Sequence, residues 1–181
     1  MKNSLWSIFS MGFLVSALMA ATALAAEPLK VGDSAPDFEL KGSDGKMHKL
    51  SDMKGKTVVL AWFPKASTPG CTAECKSIAA SSAKLQKYDA AVFTISTDES
   101  DMNAKFAKEV GADYPILSDP TKEVAKAYGV VNEERKVPFR WTFYIGKDGK
   151  ILAIDKEVKT ASHGEDVAAK LKELGVPASK S

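Results

Sequence analysis

Residues 56–71 restrict the fold of this chain more than any other stretch. Lys56-Thr57-Val58-Val59-Leu60-Ala61-Trp62-Phe63 is short, apolar and rich in β-branched and aromatic residues, the composition of a buried strand. It runs at once into Pro64-Lys65-Ala66-Ser67-Thr68-Pro69-Gly70-Cys71. Thr68 suits a helix N-cap and Pro69 the first helical position, so a helix opens here with Cys71 in its first turn. That position puts the sulfur among backbone N–H groups that have no intrahelical acceptor. Those donors, and the positive end of the helix dipole, favour a thiolate over a thiol.

The remainder reads as alternating strands and helices. A hairpin is signalled by Phe38-Glu39-Leu40, the turn Ser43-Asp44-Gly45-Lys46, and Met47-His48-Lys49-Leu50. Ala91 to Ile95 reads as a second buried strand, followed by a helix from Asp101 to Val110 closed by Gly111. Pro115-Ile116-Leu117 is a short strand, and Ser118-Asp119-Pro120 starts a helix that stops at Gly129. Trp141–Ile145 and Ile151–Ile154 flank Gly146-Lys147-Asp148-Gly149-Lys150 as a hairpin. Asp166 to Leu174 forms the last helix, ended by Gly175 and Pro177. The tail from Ala178 reads as frayed. Parallel strands with crossover helices, a hairpin and a final helix make an α/β domain, and periodicity alone leaves several small α/β folds open.

The chain has 181 residues. Lys2, an apolar stretch from Ile8 to about Ala20 and the small residues Ala23-Leu24-Ala25-Ala26 read as a secretory signal peptide spanning 1–25 and cut after Ala25, with an uncleaved anchor as the rival reading. Residues 26–181 then form a single domain in an exported, periplasmic or secreted location, with no stable membrane association after cleavage. A net charge of +2 on a mixed surface gives no reason to propose nucleic acid or anionic membrane as a partner.

Two cysteines in an exported domain would ordinarily suggest one structural disulfide. Cys71 and Cys75, however, stand four apart in one helix. A bridge between them closes a very small loop, which removes little unfolded-state entropy. In an intact helix their Cβ atoms lie ~5–6 Å apart, farther than the ~3.5–4.5 Å that a disulfide needs, so bonding requires the turn to unwind. Such a bridge suits being made and broken. Positions 71, 75, 78, 82 and 85 fall on one helical face, which includes the apolar Ile78 and Leu85 and so points Cys75 inward.

The arrangement Pro64-x-x-x-Thr68-x-x-Cys71 resembles the active-site motif of the peroxiredoxins, thiol peroxidases built on a thioredoxin-like fold. Cys71-Thr72-Ala73-Glu74, Leu117-Ser118-Asp119-Pro120, Ala127-Tyr128-Gly129-Val130 and Arg140-Trp141-Thr142-Phe143 before Asp148-Gly149 are similar to the bacterioferritin-comigratory, or Q-type, subfamily. The resemblance spans about residues 31–175. It implies an α/β domain of thioredoxin-like fold, with a central mixed sheet, helices on both faces and an N-terminal hairpin. It also implies that Cys71 is the peroxidatic nucleophile, that the Thr68 hydroxyl, the backbone N–H of Cys71, with that of Gly70 in support, and the Arg140 guanidinium supply donors to the breaking O–O bond, and that Pro64 shields the sulfur. Substrates would be hydrogen peroxide and organic hydroperoxides, and a thioredoxin-like dithiol would return the electrons. No metal, flavin or haem is implied by any motif.

Each role has a plainer rival. Thr68 could only cap, Pro64 could merely end a strand, and Arg140 could be a surface residue. Glu74 could join the arginine network or simply favour the helix N-terminus. Cys75 departs from the family, whose resolving cysteine in this helix usually stands five residues after the first, at the position of Lys76 here; it reads either as a resolving thiol at shifted spacing or as a small buried hydrophobe. Phe63 stands where tyrosine is common. Cys71-Thr72-Ala73-Glu74-Cys75 also fits an exported copper chaperone of the Sco type, with thiolates and imidazole as copper ligands. Both histidines, His48 and His163, read as solvated surface residues, outside any chaperone-like segment. A thiol-disulfide oxidoreductase would want Cys-x-x-Cys, which is absent.

Overall fold

The structure, a computed structural model, describes residues 28–179, so the signal-peptide segment and the site of its cleavage lie outside the described residues. Seven strands form one mixed sheet in the order β2-β1-β5-β4-β3-β6-β7. They are β1 (Glu39–Gly42), β2 (Met47–Lys49), β3 (Thr57–Trp62), β4 (Ala90–Ser96), β5 (Ile116–Ser118), β6 (Thr142–Ile145) and β7 (Ile151–Asp155). The helices are α1 (Pro69–Ala80), α2 (Ser82–Leu85), α3 (Ser100–Val110), α4 (Glu123–Ala127) and α5 (His163–Glu173). β3, β4 and β5 run parallel, while β1 and β6 flank them antiparallel and β2 and β7 close the two hairpins.

β3 is buried along its whole length because both faces of the sheet are covered. Val58, Leu60 and Trp62 point to one face, packed with Tyr128, Val130, Phe143 and Ile145 and covered by α4. Val59 and Ala61 point to the other, beneath Ile78 of α1 and Val167, Ala168 and Leu171 of α5. Beyond the end of β3, Phe63, Cys71, Cys75, Phe106 and Ile116 form a third cluster between α1 and α3.

Several elements differ from the sequence reading for definable reasons. The helix expected from Ser118-Asp119-Pro120 begins only at Glu123. Lys122 takes a left-handed conformation at φ 62°, and the buried Asp119 carboxylate accepts from the Ala125 N–H at 2.7 Å. The final helix starts three residues earlier than expected, at His163. The cysteine helix is interrupted at Ser81, whose N–H is shared between the carbonyls of Ser77 (3.2 Å) and Ile78 (3.1 Å). The tail is not frayed from Ala178, which bridges to Tyr88, while the Ser179 N–H donates to the Lys87 carbonyl at 2.8 Å.

Candidate active site

Topology brings the site together. β3 ends where β6, its antiparallel neighbour, begins, with Ala61 paired to Thr142. The Trp62 N–H continues this ladder by donating to the Trp141 carbonyl at 2.9 Å. Arg140 therefore crosses the end of β3 just where the chain turns into α1. Its Nη2 lies 3.4 Å from Cys71 Sγ, although 69 positions separate the two residues. Gly70 sits between them: a Cβ there would lie 3.4 Å from the same Nη2. Cys71 is 1% exposed, so the guanidinium acts on a sulfur largely withdrawn from water.

The loop between β3 and α1 is tied to its neighbours. The Ala66 N–H donates to Asp98 Oδ2 at 2.7 Å, and the Ser67 hydroxyl donates to Glu109 Oε2 at 3.0 Å. Ser67 has φ 56°, a conformation unusual for a residue with a side chain. Pro64 is half-buried at the start of this loop. Thr68 is the extended residue before α1 and its carbonyl accepts from the Thr72 N–H at 2.8 Å. The hydroxyl expected to cap the helix does not do so. It donates instead to the Lys65 carbonyl at 2.9 Å, because left-handed Ser67 folds residues 65–68 into a turn.

Glu74 is completely buried one turn beyond Cys71. Its Oε2 is paired with Arg140 Nη1, so one guanidinium spans carboxylate and sulfur. Its Oε1 lies 3.0 Å from Nδ1 of His163. His163, expected on the solvated surface, has no exposure at all, and its Nε2 lies 2.9 Å from the buried Thr142 hydroxyl. Burial pushes its pKa down to about 4; the Arg140 charge acts in the same direction and Asp155 and Asp166 oppose. His48, also expected at the surface, is half-buried and contacts Asp44 at 3.0 Å.

His163 and Thr142 are the residues that reading the sequence missed. A signal was present in Ser162-His163-Gly164-Glu165-Asp166: a serine suited to an N-cap, with acidic residues in the following turn, marks a helix start. Ser162 does precede α5, with its hydroxyl donating to Asp166 Oδ2 at 2.7 Å.

Cys75 faces a different setting. It is fully buried, and burial pushes its thiol up to about 12; a negative charge on Cys71 would add to the shift, while the Tyr114 and Thr94 hydroxyls work the other way. The Tyr114 hydroxyl also donates to the Cys75 carbonyl at 2.9 Å, pinning the helix at this residue. Both cysteines are free thiols.

Residues 31–154 match the model of the AhpC/TSA family. The chain belongs to that family. Peroxiredoxin Bcp of Escherichia coli strain K12 is 35% identical over 152 residues, 81% of this chain and 97% of that protein. Peroxiredoxin Bcp of Bacillus subtilis strain 168 is 33% identical over 152 residues, again 81% and 97%. Among solved structures, peroxidoxin BcpB of Mycobacterium tuberculosis superposes with a TM-score of 0.72 at 35% identity, covering 80% of this chain and 97% of that one. A cysteine-to-serine mutant of Xylella fastidiosa PrxQ gives 0.76 at 26% identity, covering 83% and 99%. The fold is thus thioredoxin-like, the relatives are of the Bcp and Q type, and the chain is a peroxiredoxin with thiol peroxidase activity.

Proposed function

We propose that this peroxiredoxin reduces hydrogen peroxide and organic hydroperoxides through Cys71. The single observation behind the assignment is the Arg140 guanidinium at 3.4 Å from the Cys71 sulfur, braced by buried Glu74. The thiolate attacks one peroxide oxygen, an S–O bond forms as the O–O bond breaks, and the departing alkoxide or hydroxide takes a proton to leave as alcohol or water. Charge grows on the leaving oxygen, and fixed donors aimed at it lower the barrier. The Arg140 fork and the first-turn N–H groups of Gly70 and Cys71 are those donors, with Pro64 shielding the sulfur. Thr68 enters this scheme through its hydroxyl, once that proton leaves the Lys65 carbonyl for substrate.

Cys75 then resolves the sulfenic acid. Its sulfur displaces the sulfenic oxygen as water, giving an intrahelical Cys71–Cys75 disulfide that an external thioredoxin-like dithiol reduces at the cost of its own oxidation. A thiol raised to about 12 is a poor nucleophile where it lies, so resolution follows unwinding of the first turns of α1. The enzyme works in an exported compartment, residues 1–25 serving as a signal peptide. The copper-chaperone reading is not favoured: both nitrogens of the buried His163 face Glu74 and Thr142.

Counting thiols in the reduced protein after one equivalent of hydrogen peroxide tests the scheme. Rapid loss of both thiols is expected. Loss at the rate of free cysteine defeats peroxidase chemistry at Cys71, and rapid loss of one thiol alone removes Cys75 from it. In a Cys75→Ser variant the sulfenic acid should accumulate and be trapped by a carbon nucleophile.

A further inference from the structure

The chemistry at Cys71 uses Arg140 and Glu74 and leaves unexplained the histidine buried behind them. His163 opens α5 with no exposed surface, its Nδ1 3.0 Å from Glu74 Oε1 and its Nε2 2.9 Å from Thr142 Oγ1. Among the described residues neither Nδ1 nor Oε1 has another partner, and the two stand out of line for a full hydrogen bond. A buried imidazole is costly unless both nitrogens are satisfied. The partners dictate how that is done: a carboxylate oxygen only accepts, whereas a threonine hydroxyl both donates and accepts. One neutral tautomer fits, with the proton on Nδ1 facing Glu74 and Nε2 accepting from Thr142. Burial and the Arg140 charge favour the neutral ring, against Asp155, Asp166 and the Glu74 carboxylate at 3.0 Å.

The backbone beneath the ring is fixed as well. The Gly164 N–H donates to Ser77 Oγ at 3.1 Å, and a Cβ at Gly164 would lie 2.2 Å from the Ser77 carbonyl oxygen. α5 thus approaches α1 closely one turn beyond Glu74, which fixes the backbone that carries the imidazole.

We propose that His163 is a positioning residue for peroxide reduction: its Nδ1–H, 3.0 Å from Oε1 of Glu74 though not aligned for a full hydrogen bond, favours the carboxylate orientation in which Oε2 stays on Arg140 and the guanidinium stays at the Cys71 sulfur. The inference rests on the peroxide chemistry assigned to Cys71. Without that donor, one oxygen of a buried carboxylate is bare, and Glu74 turns toward Arg140 with both oxygens, drawing the fork off the sulfur. Misplacement of a reacting array by about 1 Å can cost on the order of a hundredfold in rate.

The test is the second-order rate of thiol loss with hydrogen peroxide, measured by stopped flow on the full mature protein and on folded variants. His163→Leu should slow the reaction by about tenfold or more, whereas His163→Asn, whose amide nitrogen falls near the place of Nδ1, should stay within about threefold of the parent. Combined with Glu74→Gln, His163→Leu should have almost no further effect, because the residue through which it acts is already altered. Equal losses in the Asn and Leu variants, or the same factor for His163→Leu in both backgrounds, overturn the proposal and leave His163 a packing residue. Should His163→Leu fail to fold, His163→Asn and His163→Gln decide it: the Gln amide reaches toward Thr142 instead of Glu74, so Asn should be the faster, and equal rates overturn the assignment. A parent that reacts no faster than free cysteine overturns the peroxidase reading itself, which the variant ratios distinguish.

Discussion

Cys71 and Cys75 lie one turn apart on the same face of α1, both withdrawn from solvent, and their surroundings have little else in common. Cys71 meets a guanidinium that is itself braced by a carboxylate and an imidazole. Cys75 meets the hydroxyls of Tyr114 and Thr94 and the apolar cluster around Phe106, and its thiol is pushed up to about 12. Burial is shared, so burial does not tell the two sulfurs apart; the fixed opposite charge beside Cys71 does, and on the function proposed above it marks Cys71 as the sulfur that reacts. Replacing that charge should therefore erase the difference. Arg140→Met is expected to lower the peroxide rate by about 10²–10³, the usual consequence of removing one donor from a developing anion. Because the substitution strands buried Glu74, it is best made together with Glu74→Gln. A stopped-flow rate close to that of the parent would show that the guanidinium does not govern Cys71.

The two neighbourhoods should also respond differently to acid. The folded protein holds His163 neutral with its pKa near 4, against 6.5 for the free group. Between those values the unfolded chain takes up the proton more readily. The stability gained is complete above about pH 6.5 and is lost as pH falls towards 4, amounting to about 3 kcal/mol. Urea unfolding of the parent at pH 7 and pH 4 should show this loss. His163→Asn should lose less over the same range by about that amount, whereas Thr94→Val, on the Cys75 side, should leave the pH slope as it was.

That contrast also marks what the sequence could convey. β3, α1 and the inward direction of Cys75 were legible, because strand composition, Thr68-Pro69 and a four-residue spacing are local signals. So were the helix stops at Gly111, Gly129 and Gly175, which adopt φ of 66°, 67° and 68°. The Arg140–Cys71 approach spans 69 positions, and only family resemblance suggested it. The direction of the Thr68 hydroxyl was not legible, since it depends on the backbone angle of Ser67. Nor was the burial of His163, which is decided by α5 packing on α1 rather than by the residues beside it. Local patterns fixed the elements; the polar chain behind the sulfur came from tertiary packing.

The Cys75 turn is held from two sides, and loosening either should sharpen the contrast with Cys71. From α5, Gly164→Ala would place a Cβ 2.2 Å from the Ser77 carbonyl oxygen. That contact is with backbone, so a helix must shift, and overpacking of this kind costs about 1–3 kcal/mol. The expected result is a lower urea midpoint with an unchanged denaturant slope. A parent-like midpoint would mean that α1 and α5 separate easily, and that α5 is no brake on unwinding.

From the other side, the backbone restraint is the hydrogen bond from the Tyr114 hydroxyl to the Cys75 carbonyl at 2.9 Å. Tyr114→Phe keeps the ring in place and removes the hydroxyl, both as donor to this carbonyl and as the neighbour that lowers the Cys75 thiol pKa, a second loss that works against closure. A bond of this kind is worth about 1 kcal/mol net. If it persists in the folded helix and breaks when the turn unwinds, its removal favours unwinding by that amount, which is about fivefold in an equilibrium constant. The step that consumes hydrogen peroxide does not require unwinding and should keep its rate, while closure of the Cys71–Cys75 disulfide should quicken by up to about fivefold. Following sulfenic acid decay in the two proteins separates the steps. Equal decay would show that the turn opens elsewhere, or that closure is limited by the approach of the Cys75 sulfur and not by the helix that holds it.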